Sequence, residues 1–164
     1  VEIAIVTFGN GGVREQQNFV TVDEWQPQRL VAGGSTPMGQ ALDVGLELLQ
    51  GRKDIYRQAG AQYFRPWLFL ITDGEPTDRW EEAADRVKAQ EAARGLVFFT
   101  VGVESANMGR LAQIAPADRP PLKLKGLMFA ELFLWLSQSQ QRVSHSRAGE
   151  QLQLPPVGWA QVDT

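Results

Sequence analysis

The sequence predicts an α/β fold, a three-layer Rossmann-like sandwich with a mostly parallel central sheet and helices on both faces. Three observations carry this. Strand-like apolar runs alternate with segments of helical periodicity along the whole chain. The run 67–72 (WLFLIT) is apolar nearly throughout, as a strand covered on both faces must be. That run ends in Asp73-Gly74, a carboxylate and a turn residue at the strand terminus where open α/β sheets place their ligands.

Taken in order, residues 2–8 (EIAIVTF) predict a strand, and Gly9-Asn10-Gly11-Gly12 a tight turn whose glycines supply positive φ. Residues 19–22 predict a short strand returning antiparallel at an edge, and residues 23–34 a loop. Ser35 or Thr36 is placed to cap the next helix, with Pro37 in its first turn. In that helix Met38, Ala41, Leu42, Gly45, Leu48 and Leu49 share one face. Asp78, followed three residues on by Glu81, reads as a capping box opening a further helix. Its buried stripe is Trp80, Ala83, Ala84 and Val87.

Residues 96–103 (LVFFTVGV) predict another buried strand, after which Ser105 is placed to cap a short helix carrying Met108, Leu111 and Ile114. The alternation at 121–125 (PLKLK) predicts a half-exposed edge strand. Residues 127–136 are apolar nearly all round, which predicts a deeply packed helix. From Ser137 the chain turns rich in Ser, Gln and Arg, with Trp159 placed to anchor this segment back onto the body. The expected organisation is one domain over 1–141 and a tail over 142–164 that packs on it or extends from it.

Composition narrows the function. A length of 164 residues with 43% hydrophobic content suits one domain with a substantial core. A net charge of −3 argues against a nucleic-acid or anionic-membrane surface, and the run Arg142–Arg147 is too weakly basic to make one. Cysteine is absent, which excludes a disulfide framework or thiolate metal site and fits a reducing cytosol. The apolar run 126–136 is broken by Glu131 and too short to span a bilayer, and no signal peptide is visible. No Gly-x-x-x-x-Gly-Lys-Ser/Thr or Gly-x-Gly-x-x-Gly motif supports nucleotide binding. The single histidine, His145, lies in the polar tail, so no Ser/His/Asp triad forms and an enzyme is not expected.

Two loops remain. Gly33-Gly34-Ser35-Thr36-Pro37-Met38-Gly39 precedes a helix, and Thr72-Asp73-Gly74-Glu75-Pro76-Thr77-Asp78 follows a buried strand. Read alone, each has a purely structural account: Thr36 as a cap, Gly33 and Gly34 as turn residues, Asp73-Gly74 as a strand-end turn. Together they resemble the second and third metal-site motifs of the von Willebrand factor A (VWA) family. The resemblance implies Thr36 as a directly ligating threonine and Asp73 as the carboxylate, acting through water. It also implies Mg²⁺ or another divalent cation as cofactor, with the open coordination position filled by a carboxylate of a partner protein. The ending Leu154-Pro155-Pro156-Val157-Gly158-Trp159-Ala160 resembles cytoplasmic bacterial members associated with tellurite resistance and stress response. These are thought to scaffold partners beside a phosphatase and a kinase.

The family's first motif, Asp-x-Ser-x-Ser, is absent, and the chain opens at what corresponds to the family's second strand. The resemblance therefore implies an N-terminally incomplete VWA fold, because the missing first strand is central. Strands 2–8 and 67–72 would each face a vacancy, at about 1–3 kcal/mol for each buried unpaired peptide group. Truncation of the sequence is the favoured explanation; the others are another segment or subunit filling the gap, or the two strands closing up to pair. With only Thr36 and Asp73 as protein ligands, metal binding is expected to be weak or absent. Two alternatives stand beside this reading. One is a VWA fold with no functional metal site. The other is a phosphoacceptor receiver domain with Asp73 as phosphorylated aspartate, Thr100 as switch threonine, and Lys123 or Lys125 as the lysine.

Overall fold

The computed structural model describes residues 1–146 and 154–161. Arg147, the end of the weakly basic run, lies outside these residues. The chain forms two compact units, Val1–Tyr63 with Glu75–Gly95, and Phe64–Gly74 with Leu96–Thr164. Among the described residues there are four helices, and the longest run of adjacent strands is mostly parallel, so the α/β class expected from the sequence stands.

In the first unit, β1 (Glu2–Gly9) and β2 (Gly12–Thr21) form an antiparallel ribbon, with Glu2 opposite Thr21 and Gly9 opposite Gly12. Gly11 and Gly12 turn the chain at φ of 94° and 86°, a left-handed region that side chains rarely enter. The return strand is much longer than residues 19–22. The register set by the turn holds from the Gly9/Gly12 pair to the Val6/Glu15 pair and shifts by one residue at Gln16, after which Ile5 pairs with Gln17. Helix α1 (Met38–Gln58) buries Met38, Ala41, Leu42, Gly45 and Leu49, close to the predicted face. Helix α2 (Glu81–Ala92) buries Ala83, Ala84 and Val87. Arg86 of α2 forms an ion pair with Asp43 of α1.

A two-stranded ribbon is marginal by itself. Here Glu2 ties it to α1: Arg52 Nε donates to Glu2 Oε2 at 2.8 Å and a second guanidinium nitrogen donates to Oε1, while the Tyr56 hydroxyl donates to Oε2 at 2.7 Å. The Arg52 guanidinium also lies 5.9 Å from the centroid of the Phe19 ring of β2. The hydrogen bonds from Arg52 hold the Glu2 carboxyl below its ordinary value of 4.5 against the opposing effect of burial, and Tyr56 adds to this. A carboxyl whose folded-state value is lowered contributes stability that is whole above the unfolded value. It is lost as pH falls through the folded one. Urea unfolding should therefore show wild type and Glu2→Gln separated by a constant margin above about pH 4.5 that shrinks below it. A margin independent of pH would show that the pairing contributes nothing.

In the second unit, β3 (Trp67–Thr72) and β4 (Val97–Gly102) run parallel over their whole length. Next comes β5 (Leu122–Leu124), parallel to β4, and then β6 (Ala160–Gln161), antiparallel to β5. Thus residues 122–124 are not an edge strand, because β6 covers them. The short helix α3 (Met108–Ile114) is capped by Asn107, whose side chain accepts from the Arg110 N–H, and not by Ser105. Helix α4 (Phe129–Ser144) is longer than its apolar core and buries only one stripe, Leu132, Trp135 and Ser139. Phe133 and Leu134 are 54% and 59% exposed, so the all-round apolar character does not translate into deep packing. One face of a helix meets one core, and hydrophobic residues beyond it stay in solvent.

Phe99, Val101, Leu124, Leu132, Trp135 and Trp159 make the centre of this unit. The boundary expected at 141/142 falls inside α4, and Trp159 is buried at 2% exposure. Trp135 Nε1 donates to the Pro155 carbonyl at 2.8 Å, and the Lys125 N–H donates to the Trp159 carbonyl at 3.0 Å. Among the described residues β1 pairs only with β2, and β3 only with β4.

Candidate functional site

Thr36 belongs to the first unit and Asp73 to the second. The loop carrying Thr36 is held from two sides within its own unit. On one side the Asn10 N–H donates to the Gly33 carbonyl at 2.8 Å, and the Ser35 hydroxyl reaches the Gly9 carbonyl at 3.4 Å. Gly34 sits at φ 91°, and a Cβ there would come 2.6 Å from the Asn10 nitrogen. Only glycine permits this approach.

On the other side stand Thr77 and Asp78. The Thr36 N–H donates to Thr77 Oγ1 at 3.0 Å, and the Thr77 N–H donates back to the Thr36 carbonyl at 2.9 Å. Asp78 Oδ1 accepts from the Gly39 N–H at 3.0 Å and Oδ2 from the Gln40 N–H at 2.9 Å. These are amide groups of the first turn of α1, which have no partner inside the helix. A carboxylate at that end also meets the positive pole of the helix dipole.

This corrects two expectations. Neither Ser35 nor Thr36 caps α1: Pro37 occupies the cap position, with no side-chain cap bond. Thr36 instead engages Thr77 through both its backbone groups, and the acceptors for the first turn of α1 come from Asp78. Nor does Asp78 open its own helix. Trp80 stands at the cap position of α2, again with no side-chain cap bond, and Glu81 Oε2 accepts from the Trp80 N–H at 3.1 Å. No signal within residues 35–40 reveals the exchange, because the acceptor comes from a segment 38 residues along the chain.

Both backbone groups of Thr36 are thus engaged, whereas its half-buried side-chain hydroxyl takes part in no hydrogen bond among the described residues. Asp73 follows β3 directly. Thr72, 6% exposed, accepts from the Gly74 N–H at 3.2 Å, and its carbonyl accepts from the Val103 N–H at 2.9 Å. The Asp73 side chain is exposed, and its carboxylate makes no hydrogen bond or ion pair among the described residues. Among those residues no group of three or more His, Cys, Asp or Glu is placed to hold a metal ion. Thr100, which a receiver domain would use as its switch, is enclosed in β4 at 2% exposure.

Mostly parallel strands alternating with helices define an α/β fold, with a carboxylate and a turn after β3 and a glycine-rich loop before α1. Residues 2–129 match the family model described as the von Willebrand factor type A domain, and the chain belongs to that family, a class of protein-interaction module. It is similar to matrilin-4 of Mus musculus, at 44% identity over 55 residues, which are 34% of this chain and 8% of that protein. The chain thus spans less than a tenth of that relative's length at the match. No helix among the described residues is long and apolar enough to cross a membrane.

Proposed function

We propose that the chain binds partner proteins through a divalent cation, Mg²⁺ or another hard ion, held by Thr36 and Asp73, and that it performs no chemistry on the partner. The observation that carries this reading is the uncommitted state of both groups. Thr36 is fixed through its backbone, and among the described residues neither its hydroxyl nor the exposed Asp73 carboxylate has a partner. A neutral hydroxyl and a carboxylate are the oxygen donors a hard cation prefers, so the donor set fits in kind. Such an ion would supply a positive charge with an open position for a partner carboxylate. Thr36 contributes a neutral ligand that leaves net charge for that carboxylate to balance, and Asp73 contributes through water.

Two protein donors are few for near-octahedral coordination. Calorimetric titration of this chain with Mg²⁺ or Mn²⁺ should accordingly show weak binding that Asp73→Ala removes. Tight binding indifferent to Asp73→Ala would mean that other ligands hold the ion. In the setting proposed, the chain is a cytoplasmic bacterial scaffold in tellurite resistance or stress response, and a phosphatase or kinase of the same system is the partner.

Partner binding by the full-length protein should weaken in Thr36→Ala and on chelation. The two perturbations should not add, since both act on one ion. A surface-binding measurement with and without chelator decides this. Partner binding that ignores both changes would place the interaction on another surface and leave a VWA fold with no functional metal site.

A further inference from the structure

We infer that Asp78, assisted by Thr77, is a positioning residue for Thr36: it caps α1 from 38 and 39 residues away and so sets where the Thr36 hydroxyl stands. This rests on the reading of Thr36 as a ligand. α1 is 21 residues long and brings no capping side chain of its own. Both Asp78 oxygens are spent on its first turn, at Gly39 and Gln40. Thr77, the neighbouring residue, takes both backbone groups of Thr36. The two contacts reinforce each other, since the Asp78 bonds hold the start of α1 against the same short segment that carries Thr77. Gly39 makes the approach possible, because a Cβ there would lie 2.8 Å from Trp80 Cα. Thr77 follows Asp73 by four residues in the chain, so the segment that positions one proposed ligand is the direct continuation of the loop that carries the other.

The consequence is specific. Substituting Asp78 should loosen Thr36 without touching a ligand and without melting α1. The test is ¹⁵N relaxation and amide hydrogen exchange on the whole chain in wild type, Asp78→Ala, Asp78→Asn and Thr77→Val, with no metal added. In Asp78→Ala the Gly39 and Gln40 amides should lose about two- to thirtyfold in protection, the scale of a lost cap. The Thr36 order parameter should fall from about 0.85 toward about 0.6. Leu42 and Leu49, further along α1, should keep their protection. Asp78→Asn retains one acceptor oxygen and should restore part of the effect, and Thr77→Val should loosen Thr36 alone.

A Thr36 that stays rigid in Asp78→Ala overturns the inference. So does a loss of protection spread evenly along α1, which marks a general loss of stability. If Asp78→Ala does not fold, Asp78→Asn and Thr77→Val carry the same decision. These readouts need no ion, so the two readings fail separately. A mobile Thr36 in Asp78→Ala, together with chelator-insensitive partner binding, would sink the ligand reading and leave the positioning role intact.

Discussion

Replacing Trp159 by alanine should destabilise the protein by about 3–5 kcal/mol, the range for removing a buried large aromatic. The side chain is 2% exposed and meets Trp135 edge-on, with ring centroids 5.7 Å apart. Trp135 in turn packs edge-on against Phe99, so the cavity opens next to the aromatic centre of the second unit. The surrounding backbone is pinned: the Lys125 N–H bonds the Trp159 carbonyl, and Lys125 Nζ bonds the Gly158 carbonyl at 3.2 Å. Collapse around the lost ring is therefore restricted, which favours the upper part of the range. Trp159→Phe is the informative control. Trp159 Nε1 has no hydrogen-bond partner among the described residues, so phenylalanine gives up ring area but no bond, and its cost should be well under half that of alanine. Urea unfolding of the three proteins checks this. A Trp159→Ala change within about 0.5 kcal/mol of wild type, the usual effect of a surface substitution, would show that the segment is an appendage.

The second large effect is expected at Gly39→Ala. In an isolated helix alanine is better than glycine by about 1 kcal/mol. In this protein the added Cβ would overlap the Arg79 carbonyl oxygen and come within 2.8 Å of Trp80 Cα. Both are backbone atoms and cannot rotate away. Overpacking of this kind costs about 1–3 kcal/mol. We expect the upper end, less the propensity gain, for a net loss of about 2 kcal/mol. The segment must also move off α1, which strains the two bonds to Asp78. The check is denaturant unfolding with amide exchange at Gln40. A stabilised Gly39→Ala with Gln40 still protected would mean that the close approach is not maintained in solution.

Locally encoded features were legible in the sequence. The strand at 67–72 reads directly from its apolar run, and the buried face of α1 from Met38 to Leu49 follows from its spacing. Both depend on side chains near one another in the chain. The Gly33–Gly39 and Thr72–Asp78 loops carried the resemblance to the VWA family, and residues 2–129 match that family's model. Where the sequence misled, the deciding partner was distant. Residues 122–124 looked like an edge because the strand that covers them, Ala160–Gln161, lies far along the chain. Phe133 and Leu134 looked buried because composition counts apolar residues without knowing how many faces the core can receive.

Asp78 shows the division most directly. By itself the sequence determined that this position carries a carboxylate suited to capping, just after a proline-stiffened turn. Through Pro37 it also biased Thr36 toward extended backbone. Which helix Asp78 serves was decided only by tertiary structure, which brings residues 77–79 against the first turn of α1 at the one place where Gly39 has no side chain. The physical reason is that orphan amides at a helix start bind whichever acceptor packing brings within reach. A local motif can state that an acceptor exists, and only the fold can state where it goes.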